Sequence, residues 1–198
     1  MFFGFLTVLL MLGVAAYAVW SWGALRAFCV CCNTLLAGLV AFNFFEPAAT
    51  FLDPHLESSG VGGVEDAFCI LMMFGAVFVA LHLVTKFLAN KWPDYHPYLQ
   101  RGGAVFFGLI AGYLMAGVLI VALDTLPLPP AFPGLQGKVD SSRLRRVLPP
   151  DRVWLAMMHR ASAGAFTRGG PPFDADGSFE FRYQRLRRHA ATSPAKSD

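Results

Sequence analysis

Long apolar runs separated by short polar stretches dominate the first two thirds of the chain. A helix needs about 20 mostly apolar residues to cross a hydrocarbon core of roughly 30 Å. Four runs meet this requirement, and Pro, Gly or charged residues bound each of them. They span residues 2–20, 24–45, 67–89 and 103–123. The pattern therefore predicts an all-α membrane protein, with a four-helix transmembrane domain over residues 1–125.

The connection between the second and third runs predicts a further, shorter helix at the membrane surface. The second run stops at Glu46 and Pro47, and proline suits the first position of a new helix. Phe51, Leu52 and Leu56 would then face lipid, before a hinge rich in Gly and Ser. We therefore expect an interfacial loop helix that begins at Pro47 and is separate from the second transmembrane helix.

The pattern changes beyond the membrane domain. Residues 126–137 are rich in Pro and indicate a stiff, extended linker. Residues 138–198 form a basic extramembrane tail that we expect to be only partly ordered. In this tail PPDRVWLAMMHRA predicts a short helix with one apolar face, and SFEFRYQR alternates as one strand does. The tail is too small for its own core, so it is expected to lie on the membrane domain, on lipid headgroups or on a partner.

The composition agrees with this division. The chain is 56% hydrophobic and only 15% charged, whereas soluble domains are nearer one quarter charged. Residues 1–124 contain four basic groups against seven acidic ones, and the rest of the chain contains twelve against six. An apolar, weakly acidic N-terminal part and a basic C-terminal part indicate a membrane domain with an aqueous extension.

Basic loops predict the orientation. Cytoplasmic loops carry an excess of Lys and Arg. Arg26 follows the first segment, and Lys86, Lys91 and Arg101 lie in or beside the loop between the third and fourth segments. Both loops are therefore predicted to be cytoplasmic, which places both termini outside. The first segment has no basic start and a long apolar run, so we expect it to be a retained helix rather than a cleaved signal peptide.

Stripes of small residues recur one helical turn apart in three segments. Lipid provides no hydrophobic drive between helices, so close approach of backbones along such stripes holds helices together. Packing within the molecule is the favoured interpretation, and a homo-oligomer interface is the alternative. The residues are Gly108, Gly112 and Ala116 in the fourth segment, Ala37 and Ala41 in the second, and Ala76 and Ala80 in the third.

A possible intramembrane polar site centres on His82 and Lys86, which lie one turn apart in the third segment. Ionisable residues inside a membrane are costly and often functional. Alternatively, His82 bonds to a neighbouring helix and Lys86 extends to the interface. Asn33 and Asn43 are further polar groups at this depth, and hydrogen bonds between helices would account for them.

The cysteines do not predict a chemical centre. Cys29 and Cys32 have C-x-x-C spacing, but they lie in one apolar helix where disulfide geometry is poor and no histidine completes a metal site. We interpret them, with Cys31 and Cys69, as packing residues. The chain also lacks a phosphate loop and a nucleophile elbow, so we expect no metal, no cofactor and no enzymatic activity.

The tail carries arginine-rich stretches that could contact anionic lipid, nucleic acid or a protein. Beside a membrane domain, contact with lipid headgroups or a partner is the simpler expectation, and we predict no nucleic-acid binding. The arginines concerned are Arg143, Arg145, Arg146, Arg185, Arg187 and Arg188.

Residues 22–130 resemble the CvpA family, the bacterial colicin V production proteins. The similarity lies in GALRAFCVCCNTLLAGLVAFNFFEPAATFL, in DAFCILMMFGAVFVALHLVTKFLA, and in RGGAVFFGLIAGYLMAGVLIVALDTLPLP. The sequence departs from the family where relatives often carry charge, at CVCC and beside Gly112. The resemblance implies a multi-pass protein of the bacterial inner membrane with a role in toxin secretion or envelope homeostasis.

Three hypotheses follow. The first is a non-enzymatic envelope protein that assists colicin V secretion, or supports envelope homeostasis, through protein or lipid contacts. The second is a small transporter or channel subunit that uses His82 and Lys86. The third is an accessory subunit of a larger membrane complex that docks through its tail. We expect the lipid bilayer and either a membrane-protein partner or a second copy of the chain as binding partners.

Overall fold

The computed structural model describes five helices. The described residues are 2–21, 23–57, 64–88, 96–126 and 149–164. In chain order the helices are α1 (Phe2–Ser21), α2 (Gly23–Glu57), α3 (Glu65–Leu88), α4 (Pro97–Thr125) and α5 (Pro150–Ala163).

Four of these helices are long and apolar enough to cross a membrane, which confirms the predicted fold class. The spans have mean hydropathies between 1.9 and 2.5. The qualifying segments are Phe3–Ser21, Gly23–Phe45, Glu65–Phe87 and Pro97–Thr125.

The second membrane-spanning segment, Gly23–Phe45, agrees with the predicted residues 24–45, but the predicted stop of the helix at Glu46 and Pro47 is wrong. The helix does not stop before Pro47 but continues to Glu57, so no separate loop helix begins there. Proline removes one backbone hydrogen bond from a helix interior, yet side chains on both sides of it remain packed. Phe45 and Ala49 are buried in the same apolar core. Tertiary packing therefore extends the helix past a residue that usually ends one.

The fourth helix also begins earlier than the predicted residue 103. Pro97 occupies its first turn and His96 precedes it as the N-cap residue. Proline is tolerated at this position because its missing N–H would have no helical partner there. The extension adds Tyr98 and Leu99, both exposed, to the helix. The third helix differs from its predicted range by only one or two residues at each end.

Helix α4 lies at the centre of the bundle. It packs along α1 on one side and along α2 on another, while α3 packs mainly on α2. The larger core cluster lies where α2, α3, α4 and α5 meet, and a smaller cluster of Ala18, Ala27 and Ala104 joins α1, α2 and α4. Alanine dominates this second contact, so the backbones approach closely there.

Helix α5 is the short helix predicted in the tail. It packs on α4 and α2 of the membrane domain, which was one of three expected locations. The extended linker after Leu126, the predicted strand in SFEFRYQR and the six tail arginines lie outside the described residues.

Candidate functional site

One end of the bundle brings four helix ends together. There α1 ends, α2 begins, α3 ends and α4 begins. Gly23 starts α2 with φ +71, a left-handed conformation that glycine adopts without strain. A Cβ on Gly23 would lie 3.8 Å from Oε1 of Gln100, and one on Gly103 would lie 2.5 Å from Cβ of Ala24. The beginning of α2 therefore lies against the beginning of α4.

A polar cavity opens at this end between α1, α2 and α3. Its volume is about 200 Å³. The described residues that line it are Tyr17 and Ser21 from α1, Arg26 and Val30 from α2, and His82, Thr85 and Lys86 from α3. The lining thus contains a guanidinium group, an amino group, an imidazole and three hydroxyl groups, and we call it the cationic pocket.

A hydrogen bond between helices supports the wall of the cationic pocket. The Nδ2 group of Asn33 donates to Oγ1 of Thr85 over 3.1 Å, and the Thr85 hydroxyl lies 2.7 Å from the carbonyl oxygen of Leu81, to which it donates. Asn33 is buried on α2, while Thr85 is one residue from Lys86 on α3. This bond fixes the two helices side by side at the level of the pocket.

The structure separates the four residues of the predicted polar site. His82 and Lys86 line the pocket, and Asn33 supports it from behind. Asn43 does not belong to this group, because its Nδ2 group donates to the carbonyl oxygen of Leu39, 2.7 Å away on its own helix. His82 also stacks on Phe78, with ring centroids 6.0 Å apart and planes inclined by 13°.

Among the described residues of α1 to α4, charge is distributed unequally between the two ends of the bundle. Arg26, Lys86 and Arg101 lie near the end that carries the pocket. Acidic residues lie at the other end, with Glu65 and Asp66 at the start of α3 and Asp124 at the end of α4. The asymmetry follows the pattern on which the orientation was predicted, because the two basic connections share one end.

Two glycines of the predicted stripe in α4 lie against α1. A Cβ on Gly108 would come within 2.7 Å of Cα of Ala15, and one on Gly112 within 2.6 Å of Cα of Met11. Backbone atoms thus block any side chain at these positions. The third member, Ala116, is fully buried.

The alanine pairs of the other two stripes differ in their surroundings. Ala37 and Ala41 on α2 are fully buried. Ala76 and Ala80 on α3 are exposed instead, so they do not pack against the described helices. The small-residue spacing is the same in both helices, and only their position in the bundle distinguishes them.

Trp154 anchors α5 in a notch between two glycines. The indole is 1% exposed, and a Cβ on Gly38 would overlap its Cζ2 and Cη2 atoms. A Cβ on Gly117 would lie 3.1 Å from Cβ of Trp154 and 2.8 Å from the carbonyl oxygen of Pro150. Phe42 meets the ring edge to face, with centroids 5.9 Å apart. Glycine on both α2 and α4 therefore makes room for one large side chain.

The cysteines occupy packing positions. None of the four forms a disulfide bond. Cys31 and Cys69 are buried in the larger core cluster, one on α2 and the other on α3. Cys29 and Cys32 are partly buried on α2.

Sequence reasoning did not group Tyr17, Ser21 and Arg26 with the polar residues of α3. In the sequence, Arg26 indicates only the side of a loop, and Tyr17 and Ser21 follow no pattern that predicts a site. The prediction that the two basic loops share one side of the membrane was the available signal. It implies that Arg26 and Lys86 lie at the same end, although it does not imply that they line one cavity.

Comparison with known proteins supports the family resemblance. A family model described as colicin V production protein matches residues 6–150. No curated protein and no solved structure shows significant similarity to the chain. The matched region covers most of α1 and all of α2, α3 and α4, and it ends where α5 begins. The chain belongs to the colicin V production protein family.

Proposed function

We propose that this protein is a non-enzymatic protein of the bacterial inner membrane that assists toxin secretion or supports envelope homeostasis. The match of residues 6–150 to the colicin V production family carries this proposal, because it includes most of α1 and all of the other three membrane-spanning helices among the described residues. The family is not known as an enzyme family. Its contribution to secretion would then come from contacts with proteins or lipids in the membrane.

A complementation experiment tests the proposal. In a bacterium that makes a colicin V-type toxin, removal of the protein should reduce toxin export or increase sensitivity to agents that probe the envelope. Wild-type protein should restore whichever property is lost. The His82→Ala variant should restore it equally well, since the proposed activity depends on contacts with proteins or lipids and not on ion movement. If the deletion strain exports toxin normally and keeps an intact envelope, the proposed function is wrong.

The cationic pocket favours a second candidate, a small transporter or channel subunit. His82 and Lys86 line a cavity that Arg26 and two α1 residues complete, so the polar groups are not isolated from one another. Purified protein in liposomes would then conduct an ion flux that His82→Ala abolishes. Equal flux from wild-type and variant liposomes, at the level of empty liposomes, would exclude this candidate.

The exposed face of α3 favours a third candidate, an accessory subunit of a membrane complex that docks through α3 instead of through the tail that the sequence suggested. Only 17% of the α3 span is buried, compared with 56% of the α4 span. Ala76 and Ala80 lie on its exposed surface and offer the close approach that helix partners use. Co-purification from native membranes should then yield a partner that Ala80→Leu weakens. Ala163→Leu, an exposed position on α5, is the matched control.

A further inference from the structure

We propose that the cationic pocket binds the phosphate group of an anionic phospholipid. The inference deepens the proposed function by naming a ligand for the membrane domain, and it rests on that function only in placing the chain in a bilayer. Its ligand chemistry is that of a phosphate ester with a net negative charge, such as phosphatidylglycerol or cardiolipin.

The side chains that line the pocket favour a negatively charged ligand. Arg26 from α2 and Lys86 from α3 supply two cations, and His82 adds an imidazole. No carboxylate occurs among the described residues that line the pocket. Cations from separate helices that converge on one cavity form a site for an anion, because phosphate oxygens accept charge-assisted hydrogen bonds from both side chains.

The electrostatics of α2 also favour an anion. Arg26 lies in the first turn of α2, where the helix dipole makes a positive charge unfavourable. A bound phosphate interacts favourably with both the arginine and the helix end. The hydrogen bond between Asn33 and Thr85 joins α2 to α3 one residue before Lys86, so the two helices that supply the cations are in contact without a ligand.

The depth of the pocket matches the headgroup region. At 1.5 Å per residue, Lys86 lies about 3 Å and His82 about 9 Å before the end of α3. Arg26 lies about 4.5 Å after the start of α2. Long Lys and Arg side chains near the ends of membrane-spanning helices extend towards the interface. All three side chains lie within about 9 Å of a helix end, so a lipid phosphate at the interface can meet them.

The size and surroundings of the pocket favour a headgroup with its chains outside. The cavity of about 200 Å³ is smaller than the roughly 300–1,000 Å³ of sites that enclose drug-sized ligands. Trp20 and Phe87, which adjoin Ser21 and Lys86 in sequence, are 90% and 87% exposed. These rings offer apolar contact to acyl chains beside the pocket. Basic pockets between membrane helices on the cytoplasmic side are typical sites for anionic lipid headgroups.

Full-length protein purified in detergent provides the test. Native mass spectrometry and thermal unfolding would be measured with added phosphatidylglycerol, cardiolipin or phosphatidylcholine at equal concentrations. We expect retention of the two anionic lipids and a higher unfolding temperature with them than with phosphatidylcholine. Equal effects of all three lipids would overturn the proposal. Inorganic phosphate and glycerol 3-phosphate would be added in parallel, and stabilisation by either at the same concentration would assign the site to a soluble anion instead.

Charge-removing variants locate the site. Arg26→Gln and Lys86→Gln should each weaken binding of the anionic lipids about fivefold, and the double variant about 30-fold, as expected for loss of one or two cations near a membrane surface. Arg101→Gln is the matched control, because Arg101 is exposed near the same end but does not line the pocket. If Arg101→Gln weakens the binding of anionic lipids as much as the double variant does, the lipids are attracted to the charged surface in general, which would contradict the proposal.

Two further measurements keep the result interpretable. The variants should unfold at the wild-type temperature without lipid, and Lys86→Arg, which keeps the charge, should retain most of the lipid binding. A Lys86→Arg variant that folds but loses lipid binding as Lys86→Gln does would contradict a charge-based site. Absence of lipid preference with normal complementation would refute this inference alone, whereas lipid binding without any deletion phenotype would refute the proposed function alone.

Discussion

A methyl group at Gly38 tests how α5 is attached to the membrane domain. In Gly38→Ala the new Cβ would overlap the indole ring of Trp154. The ring has little room to turn away, because Phe42 meets it edge to face and Gly117 lies against its Cβ atom. We therefore expect the substitution to displace the ring together with α5.

The structure sets the size of the expected effect. Overpacking a well-filled site costs about 1–3 kcal/mol, and complete loss of the buried tryptophan, at about 3–5 kcal/mol, is the upper limit. Replacing glycine by alanine also improves helix propensity by up to about 1 kcal/mol. That gain acts on α2 and not on the docking of α5. A cost of 1–3 kcal/mol corresponds to about a 5- to 150-fold increase in the fraction of undocked α5.

Hydrogen exchange followed by mass spectrometry measures this fraction directly. Backbone amides in peptides covering α5 should exchange about 5- to 150-fold faster in Gly38→Ala than in wild type. Gly13→Ala on α1 is the matched control, because a Cβ there would meet nothing within 4 Å. If α5 exchanges at the same rate in both variants, Trp154 does not hold α5 in the notch between Gly38 and Gly117.

Three further changes test the packing. Trp154→Phe should retain α5 docking better than Trp154→Ala in the same exchange experiment, because the indole N–H has no hydrogen-bond partner among the described residues. Gly112→Val should lower the thermal unfolding temperature in detergent, because its side chain would meet the backbone of α1, whereas Gly102→Val should not, since a Cβ there has open space. In a double-mutant cycle, Asn33→Ala and Thr85→Val should show a coupling of about 0.6 kcal/mol and at most about 1.7 kcal/mol. A coupling near zero would mean that their hydrogen bond does not join α2 to α3.

Hydrophobic length alone predicted most of the architecture. Apolar runs of about 20 residues have few alternatives to a membrane-spanning helix, because every backbone polar group must be satisfied within the segment. The error at Pro47 has a physical origin. Proline has a strong local effect, whereas the burial of Phe45 and Ala49 that extends α2 depends on neighbouring helices.

Small-residue spacing predicted that helices approach closely, but it did not distinguish the faces that do so. Gly112 meets the backbone of α1, and Ala80 has the same kind of spacing but lies exposed on α3. The sequence does not predict that Gly38 and Gly117 lie close together, since the side chain between them is a tryptophan in a helix that follows the membrane domain. Only the assembled bundle shows which small residue faces a backbone, a side chain or lipid.

By itself the sequence determined four membrane-spanning helices, the family resemblance and the shared side of the two basic loops, because length, apolarity and charge act locally. The tertiary structure alone decided that Arg26 lines one cavity with His82 and Lys86, and that Trp154 lies between Gly38 and Gly117. Both arrangements join residues far apart in the chain. Their contacts depend on the rotation and order of packed helices, which no local pattern encodes.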